Sequence, residues 1–184
     1  MKRAAFLFVA VLLCLAPAAA LAQNPTNAVT LKLGAYVPQA DADDDEFDSG
    51  FNGELSFTRH FHPNFAFELG VGYFTSESDN FDSELTVIPI TLNLKAVYPV
   101  GGVELYALAG IGAYMAEIER GFPFNTDDDD TTLGFQAGAG LNFNVTPVIF
   151  IGAEGKYFWA EPELFGNDFK INGFQATANL GYRF

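Results

Sequence analysis

Lys32, Glu54, Glu68, Lys95, Glu104, Glu154, Lys156 and Arg183 are charged residues set at alternate positions inside segments otherwise rich in aliphatic and aromatic side chains. Four acids and four bases placed this way have the chemistry to neutralise one another, to pass ions or to lend a proton. Burial makes an unpaired member costly, so the even count points to a connected ion-pair network that fills an interior. Lys95 and Glu104 stand on neighbouring segments across a short turn and are the expected closest pair. Glu68 as a working acid would need a second group poised beside it, and none is identifiable.

Other residues share the parity of that set but not its polarity. Tyr36, Phe74, Val87, Pro89, Leu108, Tyr114 and Phe158 would form either a small hydrophobic pocket or the filling of the same interior, and both readings stay open. Pro89 cannot donate to a ladder, so it is expected either to loosen pairing locally, opening the pocket sideways, or to mark a bulge. Asp41-Ala-Asp43-Asp-Asp45 begins like a calcium loop, yet Glu46 stands where the tight turn wants glycine and Asn52 where glutamate is needed. It is not an EF-hand and no metal centre is expected. His60 and His62 flank Phe61 without a partner serine, and Gly110-Ile-Gly112 and Gly138-Ala-Gly140 lack the strand-to-helix setting of a nucleotide loop. No enzymatic activity and no cofactor are expected.

The elements that must hold these residues are strands. From Ile171 to the terminal Phe184, Phe174, Ala176, Ala178, Leu180, Tyr182 and Phe184 face one way and Gly173, Gln175, Thr177, Asn179, Gly181 and Arg183 the other. Seven earlier segments resemble it, near 28–37, 50–61, 65–75, 84–98, 103–116, 133–145 and 148–159. Each is long enough for a tilted strand to cross a bilayer, for which about 9–11 residues suffice. The expected fold is all-β: an eight-stranded antiparallel up-and-down transmembrane β-barrel, closed so that no edge is left unpaired in lipid. A soluble lipocalin-like barrel would turn its apolar face inward, whereas here the charged face must be inside.

Connections alternate between short turns near 62–64, 99–102 and 146–148 and long polar ones near 38–49, 76–83, 117–132 and 160–170. Of the 23 Asp and Glu residues, nineteen lie at 41–48, 77–84, 117–130 and 161–168, and the short turns hold none. With both mature termini in the periplasm, the short turns are periplasmic and the acidic loops extracellular. Leu31, Leu33, Leu69, Ile90, Leu92, Ile111, Leu141 and Ile151 belong to the expected lipid-facing belt. Phe61, Phe65, Tyr98, Tyr182 and Phe184 are expected at one rim, with Phe51, Tyr73, Tyr157, Trp159 and Phe174 at the other.

Lys2 and Arg3, the apolar run 4–15 and Ala20-Leu21-Ala22 read as a cleavable secretory signal over residues 1–22, leaving a barrel domain over 23–184. Leu13 before Cys14 argues against a lipoprotein signal. Cys14, the only cysteine, leaves with the signal, so no disulfide is expected. The whole chain has a net charge of −14, and losing Lys2 and Arg3 takes it to −16. So acidic a surface repels nucleic acid and attracts cations.

Leu85-Thr-Val-Ile-Pro89-Ile-Thr-Leu, Val103-Glu-Leu-Tyr-Ala-Leu-Ala-Gly-Ile-Gly-Ala-Tyr114 and the ending Gly181-Tyr-Arg-Phe184 resemble the outer membrane protein W family, best over strands four to eight. That resemblance implies a narrow barrel whose extracellular-side hydrophobic pocket passes a small hydrophobic solute laterally into the membrane. It also implies that Phe184 serves as an assembly signal for the barrel assembly machinery. The acidic loops depart from the family, being short by its standard and unusually rich in aspartate. The alternative is a non-transporting structural or surface-interaction barrel, whose acidic loops hold divalent cations loosely and contact outer-membrane lipid and lipopolysaccharide. A cavity running from the rim to Pro89 would favour transport, and a packed interior the alternative.

Overall fold

The computed structural model describes residues 27–38, 49–78, 83–120, 127–160, 163–164, 167–168 and 172–184. The signal expected at 1–22 and the calcium-like run at 41–48 lie outside the described residues. Eight strands close a barrel: β1 (Asn27–Pro38), β2 (Gly50–His62), β3 (Phe65–Ser78), β4 (Ser83–Val100), β5 (Val103–Arg120), β6 (Asp127–Asn144), β7 (Ile149–Trp159) and β10 (Gly173–Arg183). Two short strands, β8 (Glu163–Leu164) and β9 (Asn167–Asp168), pair with each other between β7 and β10.

Each barrel strand runs antiparallel to its neighbour in the chain, and β1 pairs with β10 from Ala28 opposite Arg183 to Pro38 opposite Gly173. The Phe184 amide donates to Asn27 O at 2.9 Å and the Asn27 amide to Phe184 O at 3.2 Å, extending that pairing to the final residue. The short β4–β5 turn needs a left-handed residue, and Gly101 supplies it with φ 62°.

Alternation decides which side meets hydrocarbon. Along β10 every second residue is buried from Gly173 to Arg183, and the residues between them are exposed. The expected belt lies outside, as with Leu92 at 48% and Leu180 at 54% exposure, and the expected girdle aromatics Phe61, Tyr98, Phe51 and Trp159 are exposed as well. Lys32, Glu54, Glu68, Glu154 and Lys156 are buried inside. A greasy exterior around a charged interior is stable in a bilayer and excludes the lipocalin-like alternative.

Strands β4 to β6 are longer than their apolar patterning. Asp127–Asp130, expected as loop, are part of β6, with Asp127 opposite Glu119 and Asp129 opposite Glu117. Carboxylates carry little strand preference, so composition hides a ladder that the backbone continues from the apolar part of the same two strands.

Candidate functional site

The lumen is occupied on two levels. The lower one is centred on Lys32, whose ammonium lies 2.8 Å from Glu54 Oε1, 2.9 Å from Glu68 Oε1 and 2.9 Å from Glu154 Oε1. Carboxylate oxygens of these three glutamates lie within 4.8 Å of one another, a spacing suited to a metal ion, and the lysine ammonium supplies the positive charge there. The ammonium donates to Glu68 and to both carboxylate oxygens of Glu154, and meets Glu54 as a charge contact. Lys95 adds a 2.9 Å contact to Glu68 Oε2, and Lys156 reaches across the lumen to Glu54. Three lysines against three glutamates leave this cluster neutral.

Uncharged side chains extend the network. Thr58 donates to Glu68 at 3.2 Å, Tyr106 to Glu154 at 2.9 Å and Asn179 to the Tyr106 hydroxyl at 3.2 Å. Gln136 donates to Asn93 at 2.5 Å and Tyr114 to Gln136 at 3.2 Å, and Asn93 lies 3.5 Å from Glu68. Hydrogen bonds thus run from the ion cluster up to the hydroxyl of Tyr114. Tyr106, Asn93, Gln136 and Asn179 were missed as site residues because they carry no charge, although their parity in the alternation already placed them inward.

One expected pair is not formed. Lys95 lies opposite Leu108 and Glu104 opposite Pro99, four positions further along, so sequence proximity across the turn does not bring the two together. Lys95 turns to Glu68 on β3, its diagonal neighbour, and stacks 3.9 Å over the Tyr106 ring. Glu104 instead takes Arg183 at 2.5 Å, and the guanidinium also donates to Asn144 and lies 4.3 Å over the Phe150 ring. Between these two neutral groups, a cavity of about 20 Å³ bordered by Lys95, Tyr106, Asn142 and Arg183 has room for about one water.

The upper level is aromatic. Phe158 packs at centroid distances of 5.6 Å on Tyr36, 5.4 Å on Phe74 and 5.2 Å on Tyr114, and Tyr36 meets Phe74 at 4.6 Å. These four rings and Val87 are almost wholly shielded from solvent. Leu108 does not belong with them. It packs with Val97 and Tyr106, near the level of Lys95, because its register places it nearer the short turns.

Glycines admit the large inward side chains from opposing strands. A Cβ on Gly173 would lie 2.2 Å from the Tyr36 ring, and one on Gly140 2.4 Å from the Tyr106 hydroxyl. Pro89 is buried and faces inward. The β3–β4 ladder is paired at Val71–Ile90 and again at Phe74–Val87, but not between, where Gly72 and Tyr73 stand opposite Pro89 and Ile88. A Cβ on Gly72 would meet the proline ring at 3.0 Å, so that ring rests against the glycine at the interruption.

The outer membrane protein beta-barrel domain model matches residues 6–184. No curated protein matches the chain. Among solved structures, Neisserial surface protein A superposes with a TM-score of 0.67 at 14% identity, covering 86% of this chain and 96% of that one. The outer membrane protein OprG from Pseudomonas aeruginosa gives 0.68 at 12%, over 88% and 97%. Ail, the attachment invasion locus protein of Yersinia pestis, gives 0.56 at 19%, over 88% and 100%. At such identities these likenesses carry the fold alone, and the narrower resemblance to the outer membrane protein W family rests on the motifs quoted above. With its match over nearly the whole length, a closed eight-stranded barrel and a lipid-suited exterior, the chain belongs to the outer membrane protein beta-barrel family and resides in the cell outer membrane.

Proposed function

We propose that this protein is a non-conducting, non-enzymatic barrel that presents an acidic rim at the cell surface, with its short turns and both mature termini in the periplasm. The observation that carries this reading is the filled lumen: a neutral ion cluster below and four packed rings above leave no continuous path for an ion among the described residues. Refolded protein in planar bilayers is expected to give no discrete single-channel openings, and steady openings in most insertions would overturn the reading.

The register supports an acidic rim as well. Glu77 stands opposite Glu84, Glu84 opposite Glu119, and Glu119 opposite Asp127, so one row across four strands holds only carboxylate residues. Like charges at directly opposed positions destabilise a ladder, and divalent cations offset that repulsion. Such cations would bridge the rim to lipopolysaccharide phosphates. Ail has been crystallised with the heparin analogue sucrose octasulfate, but a row of carboxylates disfavours a sulfated partner unless a cation intervenes. Calorimetric titration of the refolded barrel with calcium is expected to release or absorb heat above buffer, and a null titration would count against the cation role.

A second reading is passage of a small hydrophobic solute between the rings and out beside Pro89, with Phe184 serving the barrel assembly machinery. The interrupted β3–β4 ladder favours it, because fewer backbone bonds would have to break for the wall to part there. Under this reading Phe74→Arg or Tyr114→Arg abolishes uptake of an apolar dye into reconstituted vesicles while the barrel stays folded. Unchanged uptake would remove the solute route.

A further inference from the structure

Nine Asp, Glu, Lys and Arg residues have described side chains, and eight of them face the lumen. The ninth, Arg59, is exposed on the outer face of β2, three residues before the strand ends at His62. Its neighbours on that face are aromatic: Phe57 and Phe61 on its own strand, and Phe67 directly opposite on β3. Phe61 and Phe67 stack at 4.7 Å, and Phe67 is 50% exposed. No ion pair joins Arg59 among the described residues, and the short turns at its end of the barrel contain no carboxylate.

A cation on the lipid face costs a few kcal/mol at mid-bilayer but only about 0–1 kcal/mol near the interface. Arg59 lies at the level of the girdle, and its long side chain can extend to the headgroup layer while its methylenes stay among the rings. The anion available in that layer is phosphate, whose paired oxygens match the guanidinium fork. We propose that Arg59, with Phe61 and Phe67, forms a binding site for the phosphodiester of a glycerophospholipid, the acyl chains lying against the two rings. The site is at the end of the barrel away from the acidic rim. That this end meets the periplasmic leaflet rests on the orientation proposed above, but binding itself does not.

Native mass spectrometry of the refolded protein in neutral detergent, titrated with phosphatidylglycerol, tests the site. Wild type is expected to retain one lipid saturably, Arg59→Gln to bind about tenfold more weakly, and Arg59→Lys to fall between them. Diacylglycerol, which has the chains without the phosphate, should not compete. Equal retention by wild type and Arg59→Gln would overturn the proposal, and so would competition by diacylglycerol, a result that needs no variant. Preferential capture of lipid A, the phosphorylated disaccharide, would overturn the assignment to a glycerophospholipid. If retention depends on Arg59 while surface labelling finds the short turns outside the cell, the site stands and the orientation falls.

Discussion

Lys32→Met is expected to lower the unfolding free energy of the barrel by about 3–5 kcal/mol, the usual cost of stranding a buried charge by removing its partner. The substitution keeps most of the side-chain volume but removes the positive charge at the meeting point of Glu54, Glu68 and Glu154. Lys95 and Lys156 remain, each committed to a different glutamate, so three carboxylates would face two ammonium groups. Urea titration of the protein in phospholipid vesicles, followed by tryptophan emission, measures the loss. Adding Glu154→Gln should recover much of it, because this glutamate has Tyr106 as its other strong partner and the amide needs no counter-charge. A loss below about 1 kcal/mol would mean that water already screens the cluster as it screens a surface pair.

Phe158→Ala is expected to cost a similar amount, about 3–5 kcal/mol, for a different reason. Phe158 touches three other rings, and truncating it leaves their facing surfaces without partners in a wall too stiff to collapse. The same urea titration measures it, and no charge-neutralising second substitution should restore it. The variant also separates the two functional readings. If a small apolar molecule such as benzene restabilises Phe158→Ala but not wild type, the upper lumen is filled space; if wild type is stabilised equally, a pocket exists without the mutation.

Much of the architecture was legible in the residues because a membrane barrel obeys one strict rule of period two, and the eight lumen charges follow from that parity. The outer belt followed the same way, since Leu31, Ile90 and Leu180 could satisfy no other surroundings. What parity cannot supply is height and reach. Lys95 and Glu104 both face inward, yet only the register shows that four positions separate them and that a lysine can span to the next strand. Leu108 was misplaced for the same reason, sharing a face with Tyr114 but standing well below it. Asp127–Asp130 look like loop in the sequence because side-chain chemistry there opposes the strand that the neighbouring backbone imposes. Parity turns Arg59 outward, where a lone cation among phenylalanines is as unusual as any residue in the lumen.

The pairing of β1 with β10 bears on how the molecule is made. Seven of the eight strand contacts join chain neighbours and can form as successive hairpins, but Ala28 meets Arg183 across a sequence separation of 155 residues. That seam must zip last, and until it does two rows of amides and carbonyls lie bare in a medium that offers them no hydrogen bonds, at several kcal/mol per group. The rate at which this protein matures should therefore be governed by how long its first and final strands wait for each other, and not by the speed of any hairpin between them.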